Sequence, residues 1–373
     1  MSGPLVLITG GGGYLGRVLA RRYLDSSDLG VVLLLRAGDG GDAGGPAAAR
    51  AALEAHFGSE GRRVRYVAGD LTAVAPFAAL DEGVQRRITQ VVHAAAVTRF
   101  DVERGLATRV NVEGTDKVLA FARRCPRLES VGHISTVYSS GLREGRIAEQ
   151  PCDGQAGFAN AYEWSKAKAE RLLVERYGDL PWRILRVATV VADDDSGAVT
   201  QHNAVHETLK LWFYGMLPLL PGRADTPLYF VTAAFGGDAV VQLMAPQRPG
   251  GVYHVAHGCG DSLTLDGLLT VAAAEFGQVE DFRRRRILRP LLADRESFEL
   301  LVDGVTSFGG SFVTQALRNV APFARQLYVR KDLDNSRLRA AMGGYRAPDA
   351  ADLVRRTCRQ LVATRWGKRV GVA

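Results

Sequence analysis

The 373-residue chain is 47% hydrophobic and 23% charged, which excludes wholesale disorder, and its four cysteines (Cys125, Cys152, Cys259, Cys358) lack the C-x-x-C or Cys/His spacing of a disulfide scaffold or zinc module. No apolar run reaches the ~18 residues of a membrane span, and no basic segment precedes an apolar signal core, so a cytoplasmic protein without integral membrane contact is expected. The formal charge of +7 suits acidic ligands such as dinucleotides or CoA and does not by itself imply nucleic acid.

In chain order, an apolar run over 4–9 is followed by four glycines and a helical pattern over 14–23. A second run, 31–35, ends in Arg36, and residues 37–47 have the Gly, Ala, Asp and Pro content of a flexible loop. A helical stretch at 48–56 leads to strands at 64–67, 91–94 and 131–135, with helices at 109–124 and 162–177 and a sixth strand over 183–191. Apolar strands alternating with helices predict a doubly wound parallel sheet of the α/β class, a Rossmann arrangement. Beyond residue 192 the alternation breaks. A short strand is expected at 251–255, and the remainder reads as mostly helical and basic. The layout is therefore a dinucleotide-binding half over 1–192, with sheet contributions from 226–258, and a smaller, discontinuous substrate region over 193–373.

Gly10, Gly13 and Gly16 are spaced G-x-x-G-x-x-G between the first strand and the first helix. Glycines there permit a tight turn and close approach of backbone amides, including those of Tyr14 and Leu15, to a pyrophosphate. The helix N-terminus adds partial positive charge. Arg36 closes the second strand where an NAD-preferring domain usually places an acid, and with Arg17 it suits a 2′-phosphate, so NADPH is the expected cofactor. Asp70 and Leu71 follow the third strand, where the carboxylate is placed either for an adenine amino group or as a helix cap. Ala94 and Ala95 give the fourth strand a small-residue end against which a ribose can lie.

Tyr162 and Lys166, four apart, share one helix face. A phenol titrates near ~10, and a neighbouring ammonium favours its anion, so Lys166 is expected to bring Tyr162 toward a useful range while anchoring the nicotinamide ribose. Ser135 and Thr136 end the fifth strand, where open α/β sheets bind ligands, and a hydroxyl there can donate to a substrate carbonyl. Asn111, in the helix after the fourth strand, is placed either to position the lysine or a water, or simply as a capping or surface residue.

The glycine loop, the Asp70 turn, His93-Ala-Ala, Asn111-Val-Glu-Gly-Thr115, the Ser135-Thr136 strand end and Tyr162-x-x-x-Lys166 together resemble the extended short-chain dehydrogenase/reductase superfamily over about residues 4–260, and more loosely around Leu333-Asp-Asn-Ser-Arg337. Arg36, the insert at 37–62 and the segment Phe158-Ala-Asn-Ala-Tyr-Glu-Trp-Ser-Lys166 are most similar to its thioester reductase and fatty acyl-CoA reductase branch. The resemblance implies Thr136 as carbonyl polariser, Tyr162 as proton donor and Lys166 as tuner and ribose anchor. The substrate it implies is an acyl group on CoA or a carrier protein. A ketone/alcohol oxidoreductase, a sugar-nucleotide epimerase or dehydratase, and a non-catalytic NADP-binding sensor are the alternatives. The branch's proline is Val187 here, and its Val-Pro-Val-Asp segment is Val231-Thr-Ala-Ala234, departures that bear on the substrate.

Three further features read as structural unless a ligand claims them. The Arg283–Arg286 run fits a solvated face or an anionic partner. Trp212, Phe213 and Tyr214 fit core and surface positions or an acyl pocket. His202 and His206 are four apart without a third metal ligand.

Overall fold

The computed structural model describes residues 3–36, 45–308, 321 and 323–367; most of the glycine-rich loop read at 37–47 lies outside them. The chain builds a seven-stranded, fully parallel sheet from β1 (Leu5–Thr9), β2 (Gly30–Leu35), β3 (Val64–Ala68), β4 (Ile88–His93), β5 (Ser130–Thr136), β7 (Trp182–Val187) and β12 (Gly251–Val255). The strand order is β12-β7-β5-β4-β1-β2-β3. β1, β2, β4 and β5 are buried along their whole length, because helices cover both faces of the sheet. The order reverses between β1 and β4, and this switch point opens a crevice beyond the carboxyl ends of the strands.

One face is packed around α1 (Tyr14–Ser26) and α8 (Ala233–Met244), with Leu19, Tyr23, Val240 and Leu243 against Val6, Leu33 and Leu185. The other is packed around α5 (Gly114–Arg123) and α6 (Ala161–Arg176), with Val118, Phe121 and Leu173 against Leu7, Val91 and Ile184. A third core, separate from both, joins α7 (Ala204–Phe213), α9 (Leu265–Phe276) and the last helix, Ala350–Ala363, through Leu209, Trp212, Phe276 and Leu361.

The structure departs from expectation in three places. The strand expected over 183–191 breaks at Ala188. β7 pairs with β5 and β12 up to Val187, after which the Ala188 amide donates to Val255 and that of Thr189 to Tyr229, so β8 (Thr189–Ala192) pairs with β11 (Phe230–Thr232) in a separate small sheet. Both halves are apolar, so composition carries no trace of the break. The helix expected over 109–124 begins at Arg104 and widens into a π turn over Thr108–Glu113 before α5. The C-terminal region, expected to be mostly helical, also contributes paired strands: β14 (Leu291–Ala293) on β9 (Leu219–Pro221), and β15 (Lys331–Leu333) on β6 (Gly145–Ile147).

Candidate active site

The crevice is a cleft of about 790 Å³ whose walls include Gly10, Gly13, Tyr14, Leu15, Gly16 and Ala94 on one side and Thr136, Tyr138, Tyr162 and Lys166 on the other. Two glycines in the loop are obligatory. Gly10 has φ +72°, and a Cβ there would lie 2.8 Å from the Ala95 backbone; a Cβ on Gly16 would lie 2.1 Å from the Gly10 carbonyl oxygen. Gly13 caps α1 and, having no side chain, leaves the first-turn amides that border the cleft without a cap side-chain bond. Size, backbone approach and helix terminus together fit a dinucleotide.

α6 brings the reactive side chains in. Asn160 caps it by accepting the Glu163 amide at 3.0 Å, which places Tyr162 in the first turn. One turn later the Lys166 ammonium donates to the Ile134 carbonyl at 2.7 Å, tying the helix to β5 two residues before Thr136. Thr136, Tyr162 and Lys166 all line the cleft, each less than a tenth exposed, with the Thr136 hydroxyl near enough to the Tyr162 phenol to lower its pKa.

The electrostatic balance differs from expectation. Burial holds the Tyr162 phenol above its usual value; the hydrogen bond with Thr136 opposes this, and the Glu163 charge adds to it. Burial also pulls the Lys166 ammonium down to about 8, with Glu170 opposing. Lys166 is thus an anchored cation near its titration point, and burial is the largest influence on the Tyr162 phenol.

Other expected residues have contacts within the chain. Ser135 borders the cleft, but its hydroxyl donates to Glu170 at 2.5 Å. Glu170 receives Arg186 through Nε at 3.0 Å and Nη2 at 2.6 Å, a buried ion pair beneath the site. Thr136 is therefore the strand-end hydroxyl available to a substrate. Asn111 is not among the residues that wall the cleft, and its side chain bonds within the chain. It is buried in the π turn, accepts the Val97 amide at 2.8 Å, and donates to the Val97 carbonyl and the Ser165 hydroxyl, each at 2.9 Å, so it positions α6 and the 97 loop. Asp70 accepts both the amide and the hydroxyl of Thr72 at 2.8 Å, which holds the turn after β3 and lowers its carboxyl. Leu71 buries its side chain in the core beside Gly114, and Ala95 packs behind Gly10. Arg36 is exposed and its charge reaches Asp70; Arg17 is exposed on α1 near His56. Neither arginine is in the cleft wall.

Several cleft residues carried no sequence signal. The Tyr14 hydroxyl donates to Asp193, which also receives Thr200 at 3.0 Å, so the glycine loop is joined to the segment after β8. Gln201, His202 and Asn203 line the same rim. His206 completes a capping box by accepting the Asn203 amide at 2.9 Å. Among the described residues no group of three His, Cys, Asp or Glu side chains is arranged to hold a metal. Phe100 stands edge-on to Tyr162, with ring centres 5.8 Å apart, and stacks on Phe323 at 5.0 Å. Arg284 and Arg285 pair with Asp281, and none of the Arg283–Arg286 run lines the cleft.

Known proteins resemble the chain in sequence and fold. The chain is 24% identical over 226 residues to the fatty acyl-CoA reductase wat of Drosophila melanogaster, covering 50% of this chain and 43% of the relative. It spans less than half the length of the first curated relatives it matches. Its fold superposes with TM-score 0.76 and 23% identity on the terminal R domain of the myxalamid PKS-NRPS biosynthetic pathway, covering 98% of this chain and 92% of that one. A UDP-glucuronic acid 4-epimerase from Bacillus cereus, solved with NAD, gives TM-score 0.66 and 14% identity, covering 96% and 98%. These structures show the shared fold. The model of the male sterility protein family matches residues 8–241, more than half of the sequence, and the chain belongs to that family of NAD-binding Rossmann domains.

Proposed function

We propose that the chain is an NADPH-dependent oxidoreductase that reduces an acyl thioester, carried on CoA or on an acyl carrier protein, to an aldehyde or alcohol. The observation that supports this best is the convergence of Thr136, Tyr162 and Lys166 on the cleft that the glycine loop opens at the switch point. Gly10, Gly13, Tyr14, Leu15, Gly16 and Ala94 would hold the cofactor's phosphates and ribose, Lys166 its nicotinamide ribose, and the exposed Arg36, with Arg17, a 2′-phosphate. Asp70 and Leu71 would border the adenine through the turn after β3. The bound cofactor supplies hydride.

The chain's own residues do the rest. Thr136 and Tyr162 hydroxyls direct their donors at one oxygen, and negative charge growing there in the transition state is stabilised by these positioned donors. Tyr162 then delivers its proton to that oxygen, and the resulting hemithioacetal collapses to the aldehyde as its C–S bond breaks and the hydroxyl proton leaves with the thiol; a second hydride and proton would give the alcohol. The raised pKa of Tyr162 keeps the proton on the phenol at neutral pH, as a donor requires. The anchored Lys166 cation favours the phenolate left behind.

The direct test follows nicotinamide absorbance when the protein is mixed with NADPH and acyl-CoA or acyl-pantetheine thioesters. Steady oxidation with stoichiometric release of thiol is expected. No oxidation with any thioester rejects the reading, and tightly retained NAD without net consumption points to an epimerase instead.

A further inference from the structure

Behind the cleft lies a second, smaller cavity of about 60 Å³. Its walls are Leu209, Trp212, Leu217, Leu220, Leu268 and their apolar neighbours, all from the C-terminal core. Tyr138, Thr189, Ala204, Val205 and Phe323 belong to the walls of both cavities. The boundary is aromatic: Phe323 stacks on Phe100 and meets Tyr138 edge-on at 5.1 Å, and Phe100 touches Tyr162. A chain bonded to a carbonyl carbon at Thr136 and Tyr162 therefore has an apolar continuation directly beyond this aromatic partition.

The chemistry of that continuation discriminates between acyl groups. Its few polar atoms already have partners within the protein. The Thr208 hydroxyl donates to the Ala204 carbonyl at 2.7 Å, the Trp212 indole to the Leu288 carbonyl at 3.0 Å, and the Tyr138 and Thr189 hydroxyls pair with each other at 3.2 Å. None of the described side chains lining it has an unpaired buried polar atom. A peptide placed there leaves its amides without partners, whereas methylene groups lose nothing and leave water. Relatives of both kinds exist, a fatty acyl-CoA reductase and a terminal domain of a polyketide–peptide pathway, so the proposed reaction leaves the acyl class open.

We infer that this cavity holds the acyl chain of the substrate, and that the chain is an unbranched aliphatic group of short to medium length rather than a peptide. The inference rests on the thioester-reductase reading. Phe323 and Tyr138 set the entrance, and Trp212 and Leu268 help to close the far wall. Burial of each added methylene raises kcat/KM about fourfold until the cavity is full, after which the gain stops.

The test compares acetyl-, butanoyl-, hexanoyl-, octanoyl- and palmitoyl-CoA with a dipeptidyl pantetheine thioester under NADPH, beside calorimetric binding of inert S-alkyl pantetheines of the same lengths. A rise through the shorter chains, a plateau or fall beyond the medium ones, and a dipeptide used at least about 100-fold less well than the best chain are expected. Thr208→Phe, at a partly buried position, fills the cavity without emptying the core, and lowers the octanoyl-to-butanoyl ratio of kcat/KM, or of binding, at least about tenfold. A length-independent profile, an equally good peptide, or an unchanged ratio in Thr208→Phe overturns the inference. If no thioester is reduced, the reaction assignment falls, and the S-alkyl series alone decides: length-dependent binding lost in Thr208→Phe upholds an apolar-chain site, and its absence refutes it.

Discussion

The Lys166 ammonium donates to the Ile134 carbonyl, and with the Ser135–Glu170 bond this ties α6 to the end of β5, beside Thr136. The same burial lowers Lys166 to about 8, so its charge, and with it the support for a Tyr162 phenolate, is present below that pH and lost above it. Activity is expected to fall above about pH 8, in a profile of kcat/KM at saturating NADPH. Lys166→Arg moves the fall upward, because guanidinium does not titrate in that range. A profile that ignores this substitution contradicts the role.

Tyr162→Phe keeps the ring against Phe100 and removes only the hydroxyl. With the proton donor gone, kcat drops by about 10²–10⁴, while cofactor binding, read by fluorescence titration, changes little. Undiminished turnover would remove Tyr162 from the mechanism.

Arg36→Asp replaces the exposed cation at the end of β2 with an acid. The ratio of kcat/KM for NADPH over NADH is expected to fall by at least about tenfold, since a charge-assisted contact to the 2′-phosphate becomes a repulsion. Equal KM values before and after would assign the arginine to solvent.

Glu170 and Arg186 form the buried pair beneath Ser135. Glu170→Ala strands the guanidinium and should cost about 3–5 kcal/mol of unfolding free energy in a urea titration, whereas replacing both residues by methionine costs far less. A single variant as stable as the parent would show that the pair carries no stability.

Acid sensitivity follows from buried neutral histidines. Burial lowers His93 to about 3 and His206, His254 and His257 to about 4, so the unfolded chain binds more protons than the folded one between those values and the ordinary 6.5. Stability is complete above about pH 6.5 and declines as pH falls toward about 4, by several kcal/mol in aggregate. Urea midpoints at successive pH values check this; a midpoint independent of pH in that window speaks against it.

Much of the architecture was written in the chain, because each signal was local. The run before Gly10, the glycine spacing and the four-residue interval from Tyr162 to Lys166 depend only on strand and helix periodicity. What was hidden depends on contacts distant in sequence. The bonds of Asn111 to Val97 and Ser165 join segments far apart in the chain. Tyr14 meets Asp193 across the cleft, and Phe323 reaches Phe100, pairings that no spacing announces. The break at Ala188 was equally silent, since apolar residues continue on both sides.

That break links two tasks in one stretch of backbone. Val187, at the end of β7, walls the nucleotide crevice; Thr189, at the start of β8, belongs to both cavities, and its neighbour strand β11 supplies Phe230 to the inner one. On the proposed reading, mutations that reshape the inner cavity through β8 and β11 also act on the cleft wall beside the reacting carbon. Retuning which molecule is accepted will tend to alter how fast it is turned over, and the two properties will be hard to evolve apart.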